Sequence, residues 1–308
     1  IGKQSTTYPR FTSYRKDIQI LDLFPNIDYK GGYKMLGQNF IADGGRYSDA
    51  NIIFKRNGEP IFTASSNRFS IGENKISSQY ATIKIFFDND SIYHSSLRFK
   101  YLNDERLLQL YRDRLGSSGG PILDTYHQLT IDFELLQWYI DSDIITFGSL
   151  PGNSRSSVYF ESADLYLEER FNSLQRIDEI HPLLLINRYV ESKGEENFYV
   201  SDFAKFTGYP LHQIQPYLMD LANQGFLFYN VIEDRVIIQN SFKRYIQAKN
   251  KTSDYDVIYF NSTIESSQRL TVSENAALNV RTKDLMIRGV PNVFVSDVQD
   301  VHLIPRNG

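Results

Sequence analysis

This sequence predicts a mainly β protein with one small α+β module set into it. Three observations lead there. Between residues 18 and 112, runs rich in Ile, Phe, Tyr and Thr alternate with turn residues about every ten residues, the rhythm of an antiparallel meander or jellyroll. Between residues 178 and 239 the apolar spacing changes to threes and fours, the helical period. After residue 251, apolar pairs of the form φxφ return every seven or eight residues.

Residues 1–16 (IGKQSTTYPRFTSYRK) hold four basic residues and no acid, and read as a solvated arm. A β-rich domain follows over residues 17–175. Asn57-Gly58, between two β-rich runs, predicts a tight hairpin, because both residue types tolerate a positive φ. Asp88-Asn89-Asp90 divides the runs 81–87 and 91–97, and residues 102–106 divide 97–101 from 107–111. Residues 116–121 (GSSGGP) form a flexible break. Residues 129–140 (LTIDFELLQWYI) alternate as one strand, with Asp132 and Glu134 on one face and Ile131, Phe133 and Leu135 on the other; a helix is the alternative. A strand begins at Val158, and Ser162 is placed to cap a helix over residues 162–174.

Residues 176–250 form the module. Asp178 and Glu179 start a helix that carries Pro182 in its first turn and closes at Gly194. A short strand spans 198–200. Ser201 caps a second helix that ends at Gly208. Pro210 opens a third, in which Leu211, Ile214, Leu218 and Leu221 share a face; Pro216 inside it removes a backbone donor and bends it. Gly225 ends that helix. Residues 226–230 and 235–239 pair around Ile232, Glu233 and Asp234, and a last helix covers 241–249. Helix, strand, helix, helix, hairpin is the layout of a winged helix.

Over residues 251–308, a strand at 256–264 leads into the pairs Leu278/Val280, Leu285/Ile287, Val293/Val295 and Val301/Leu303. These fit short hairpins or β-solenoid-like rungs. This segment either continues into a longer chain or packs on the first domain, so that the helical module interrupts a mostly β protein.

Composition narrows the function classes. At 41% hydrophobic and 23% charged, 308 residues can bury a sizeable core. A net charge of -4 supplies no global attraction to polyanions. The absence of Cys excludes disulfides, thiolate metal sites, iron–sulfur clusters and Cys nucleophiles. No run of eighteen apolar residues exists, so no transmembrane helix is expected.

Few residues suggest chemistry. Residues 116–121 resemble the GDSGGP loop of chymotrypsin-like proteases, with Ser118 as nucleophile, but Ser117 replaces the motif's Asp and the only upstream His is His94, which lacks the family's surroundings. Asp124, His127, Asp132 and Glu134 gather carboxylates around one His without metal-ligand spacing. Asp88-Asn89-Asp90 lacks the Gly and distal Glu of a calcium loop and reads as a turn. Gly31-Gly32 and Gly44-Gly45 match no phosphate-binding loop. The five His residues, His302 among them, are scattered, and neither His181 nor His212 has a ligand-like neighbour. No catalytic, cofactor-binding or metal residue is therefore assigned, and no cofactor is expected.

Charge argues against nucleic acid. Residues 177–250 carry seven basic and nine acidic side chains, a balance of -2, and residues 211–223 contain no Lys or Arg. The readers available there are His212, Gln213, Gln215 and Asn223, with Asp220 repelling, and the wing tip carries Glu233 and Asp234. Phosphate anchoring by Lys and Arg supplies most DNA affinity, so this module is expected to serve as a packing or protein-docking unit instead.

Four phrases form a recognisable set: residues 178–190 (DEIHPLLLINRYV), 221–231 (LANQGFLFYNV), 254–264 (DYDVIYFNSTI) and 284–305 (DLMIRGVPNVFVSDVQDVHLIP). Together they resemble a segment of very long β-rich proteins of Bacteroidota-type bacteria. That resemblance implies an array of β modules, a periplasmic or cell-envelope location and no catalytic residues; a cytoplasmic location stays open. The β segments before Arg112 also resemble the open β-jellyroll of lipopolysaccharide-transport proteins. The expected function is a non-enzymatic structural and protein-interaction component of a larger envelope-associated assembly, its partners other subunits or the rest of a longer chain. The alternatives are a winged-helix DNA-binding regulator and a hydrolase acting through Ser118.

Overall fold

The computed structural model describes residues 10–36, 39–45, 48–112, 120–175, 180–230, 234–265, 273–296 and 301–304. The β body runs through β1 (Arg10–Thr12), β2 (Ile18–Phe24), β3 (Ile27–Leu36), β4 (Asn39–Asp43), β5 (Ala50–Arg56), β6 (Glu59–Ser66), β7 (Arg68–Ile71), β8 (Lys75–Phe87), β9 (Asp90–Leu102), β10 (Leu107–Tyr111), β11 (Ile122–Asp124), β12 (Leu129–Asp132), β13 (Leu135–Tyr139), β14 (Ile144–Ser149) and β15 (Arg155–Ser162). A helical module intervenes: α1 (Glu168–Ser173), α2 (Pro182–Lys193), β16 (Asn197–Tyr199), α3 (Val200–Thr207), α4 (Leu211–Asn223), β17 (Leu227–Asn230), β18 (Arg235–Ile238) and α5 (Asn240–Lys249). The body resumes with β19 (Tyr259–Glu265), β20 (Ser273–Asn279), β21 (Leu285–Ile287), β22 (Val293–Ser296) and β23 (Val301–Leu303). The mainly β expectation holds.

All twenty body strands belong to one antiparallel network. Its pairings trace two arms that share the long strands β3, β8 and β9. One arm runs β1-β3-β4-β7-β8-β9-β10-β13-β14-β20-β21. The other runs β2-β3-β5-β6-β8-β9-β11-β12-β15-β19-β22-β23. Irregularities in β8 between Ser78 and Ile83 let a thirteen-residue strand serve both arms. The arms face each other as a sandwich. Phe54 and Phe62 of the second arm reach Phe99 of the first at ring distances of 6.3 and 6.1 Å. Burial alternates as this requires: every second residue of β15 from Ser156 to Ser162 is buried.

Local signals place the turns. Asn57 and Gly58 take φ of 54° and 85° between β5 and β6, the two positive values that a two-residue hairpin loop with matched twist demands. Asp88 joins β8 to β9 at φ 55°, and Arg106 precedes β10 at φ 50°. Three expectations are corrected. Residues 129–140 are two strands, because β12 pairs within one arm and β13 within the other, with buried Phe133 at the crossing. Ser162 ends β15 instead of capping a helix: its N–H donates to the Ile258 carbonyl and its hydroxyl to Asp256, and α1 starts at Glu168. Ser201 lies inside α3, whose start is fixed one residue earlier by the Val200 N–H donating to the Asp234 carbonyl.

The C-terminal pairs form hairpins, the first of the two arrangements their spacing allowed. β20 pairs antiparallel with β14 and β21, and β22 with β19 and β23. Stacked solenoid rungs would run parallel, and these strands instead extend the two arms.

The helical module is an insertion in a hairpin. β15 and β19 pair residue for residue from Arg155↔Glu265 to Glu161↔Tyr259, and the module occupies the loop between them. Its order of helix, strand, helix, helix and two strands follows the expected layout, with a small sheet ordered β16-β18-β17. Gly194 and Gly208 close α2 and α3 in left-handed conformations. α4 continues through Pro216. The buried apolar residues of the body and of the module form two separate cores. Asp178, Glu179, Ile232 and Glu233 lie outside the described residues.

Candidate functional site

The groups that suggested catalysis are dispersed. Ser117 and Ser118 lie outside the described residues. His94 is buried, with Nδ1 accepting from the Ser96 N–H at 2.9 Å, so Nε2 carries the proton and donates it to the Gly120 carbonyl at 2.7 Å. Both nitrogens hold backbone. Asp124 is fully buried; it accepts from the N–H groups of Tyr126 and His127 and contacts His127 Nδ1 at 2.7 Å. His127 Nε2 donates to the Lys283 carbonyl at 2.9 Å and so ties the β11–β12 turn to the loop before β21. Asp132 pairs instead with Arg112, and Glu134 accepts from the Leu150 N–H and the Asn153 amide. Four ionisable groups thus serve three separate structural tasks. Among the described residues no group of three potential ligands could hold a metal ion. Asp88 pairs with Lys283 at 2.6 Å, a bond that holds the lysine pKa above its ordinary value.

His181 is also structural. Its ring stacks on Phe171 at 3.7 Å, its Nδ1 accepts from the Leu183 N–H at α2's start, and its Nε2 donates to the Phe171 carbonyl. Burial pushes its pKa below the ordinary 6.5, outweighing the opposing bond to Phe171, while Lys249 lowers it further. A His with a depressed folded pKa contributes stability that is complete above its unfolded pKa of about 6.5 and is lost as pH falls through the folded value. Urea unfolding at pH 7.5 and at successively lower pH should therefore show falling stability below about 6.5, with a smaller slope in His181→Asn. Equal slopes in the two proteins would show that other groups carry the dependence.

A groove of about 520 Å³ lies beside β16 in the module. Its floor is aromatic: Tyr189 meets Phe198 and Phe206 edge-on at 5.0 and 5.1 Å. Burial raises the pKa of the Tyr189 hydroxyl. Around the groove and the α3–α4 junction stand exposed Tyr199, Phe206, Tyr209 and Leu211, at 55, 46, 50 and 43% exposure. Four large apolar side chains thus stand in water within thirteen residues, and two of them, Tyr199 and Phe206, line the groove. β16 is an edge of its sheet, so one side of its backbone has no strand beside it among the described residues. The sequence analysis missed this site. Its signal was present in the density of aromatics, with Phe198, Tyr199, Phe203, Phe206 and Tyr209 within twelve residues.

Among the described residues of the module, Lys205 pairs with Asp202, Lys243 with Glu196, Arg244 with Asp164 and Lys249 with Glu168. On α4, His212 and Gln213 are exposed, and Leu211–Asn223 brings no cation of its own.

No family model, curated protein or solved structure matches this chain. Function must therefore be argued from the site itself. No helix among the described residues is long and apolar enough to cross a membrane.

Proposed function

We propose that this chain is a non-catalytic structural and interaction component of a larger, envelope-associated assembly, with the helical module as its contact element. One observation carries the reading: the groove beside β16, where the aromatic rings of Tyr189, Phe198, Tyr199 and Phe206 are rimmed by Lys193, Glu195, Asp202 and Lys205, with exposed Tyr209 and Leu211 following in the chain. Tyrosine and phenylalanine bury large areas at low entropic cost, which suits them to polypeptide interfaces. The occupant is an apolar or aromatic segment of another polypeptide, which can also add backbone hydrogen bonds along the β16 edge. Charge supports this choice over DNA, because phosphate contacts would compete with carboxylates already in place. The envelope placement rests on the resemblance of residues 178–190, 221–231, 254–264 and 284–305 to long β-rich bacterial proteins.

A photoreactive phenylalanine analogue at Tyr209 in living cells should give discrete polypeptide adducts. The same analogue at exposed Tyr80 of the body should not, and Phe206→Glu should remove the Tyr209 adducts without changing the melting temperature. In parallel, duplex DNA at about 50 mM salt should not be retained. Tight DNA binding with a steep salt slope, or no adduct at Tyr209, would overturn the proposal.

A further inference from the structure

The module lies over the outward face of the body's second arm. Strand register aligns Tyr93, Leu123, Thr130 and Glu161 in one row across β9, β11, β12 and β15. Arg170, Phe226 and Tyr245 of the module face this row across a cavity of about 300 Å³. The layers are therefore imperfectly packed where they meet. Among the described residues, specific polar contacts join them beside this cavity. Arg170 bonds Glu161 of the body at 3.0 Å and, within the module, the Gln224 carbonyl at 3.0 Å. Arg112, paired with Asp132, donates to the Asn223 carbonyl at 3.0 Å. Both arginines act on the C-terminal turn of α4, which has no basic residue of its own there. Beside them Gly120 packs directly on Gly225: a Cβ at Gly120 would lie 2.0 Å from the Gly225 Cα.

The two chain crossings between body and module lie side by side. The Asp256 N–H donates to the Asp164 carbonyl, and the Tyr166 N–H donates to the Asp256 carbonyl, each at 3.0 Å. Crossings tied at one place leave one axis of rotation. Each unit keeps its own core when the other moves away. An interface between two such units that encloses a cavity and is joined by polar contacts favours relative motion.

We propose that the inserted module is a hinged lid, swinging on residues 163–165 and 256–258, that uncovers the Tyr93–Leu123–Thr130–Glu161 row when it undocks. The motion does not depend on what binds the aromatic groove, so the two proposals fail separately.

The chain has no Cys, so Lys84→Cys and Arg188→Cys place a pair of spin labels without background. Both positions are exposed, one beside Tyr93 on the body and the other on α2. Pulsed distance measurement should find a main docked population and a minor longer one. Gly120→Ala, a wedge that touches neither core, should raise the longer population about fivefold or more. Glu161→Gln, which removes a charge without adding bulk, should shift it in the same direction. Calorimetry of the Gly120→Ala protein should show two separate transitions. One unchanged distance in all three proteins, or a single cooperative loss of both cores, would overturn the proposal.

Discussion

Phe99→Ala is expected to lower the unfolding free energy by about 3–5 kcal/mol, the range for deleting a fully buried aromatic ring. Phe99 is 0% exposed and lies within 6.3 Å of the ring centroids of Phe54, Phe62 and Phe69. Those partners come from β5, β6 and β7, so the one ring joins both arms of the sandwich. A loss of this size is a large part of the roughly 5–15 kcal/mol that holds a typical domain together. Urea unfolding with an unchanged slope is the measurement. A loss below about 1 kcal/mol would mean that the arms do not pack face to face at this ring.

Asn275→Ala should cost about 2–4 kcal/mol, from several hydrogen bonds lost at once in a dry site. Asn275, Ser156 and Ser262 are each 0% exposed. The Asn275 side-chain oxygen accepts from the Ser156 hydroxyl. Its amide donates to the Ser156 and Ser262 carbonyls and to the Ser262 hydroxyl. The network links β20 of one arm to β15 and β19 of the other. Truncation removes four bonds from a fully buried site; the Ser262 hydroxyl keeps the Arg288 carbonyl and the Ser156 hydroxyl keeps the Ser149 N–H, which holds the cost within this range. If Asn275→Ala and Asn275→Leu both unfolded with wild-type midpoints, this closure of the sandwich would carry no stability.

The elements that could be read early share a physical property: their cause is local. Asn57-Gly58 needs only its own two positive φ values, and Gly194 and Gly208 need only the ends of their helices. The φxφ pairs after residue 251 mark strands because alternation is a property of each segment alone. The errors share the opposite property. Residues 129–140 alternate without interruption, yet they split because β12 answers to β11 and β15 while β13 answers to β10 and β14. Ser162 has the chemistry of a helix cap, but its hydroxyl is claimed by Asp256 across 94 residues. The candidate site followed the same rule. The lack of cations in α4 was plain in its letters, whereas the aromatic groove needed α2, β16 and α3 brought together.

Alternating and helical periods, with Gly, Asn and Pro at the turns, determined from the sequence alone that this is a β protein carrying a small helical module without a cationic reading helix. Tertiary structure alone decided that β15 and β19 close into one hairpin around that module, that arginines from outside α4 hold its last turn, and that Tyr199, Phe206, Tyr209 and Leu211 stay in water. Periodicity states which side of a segment is apolar. Whether another surface arrives to cover that side depends on strand pairings and ion pairs between residues far apart in the chain.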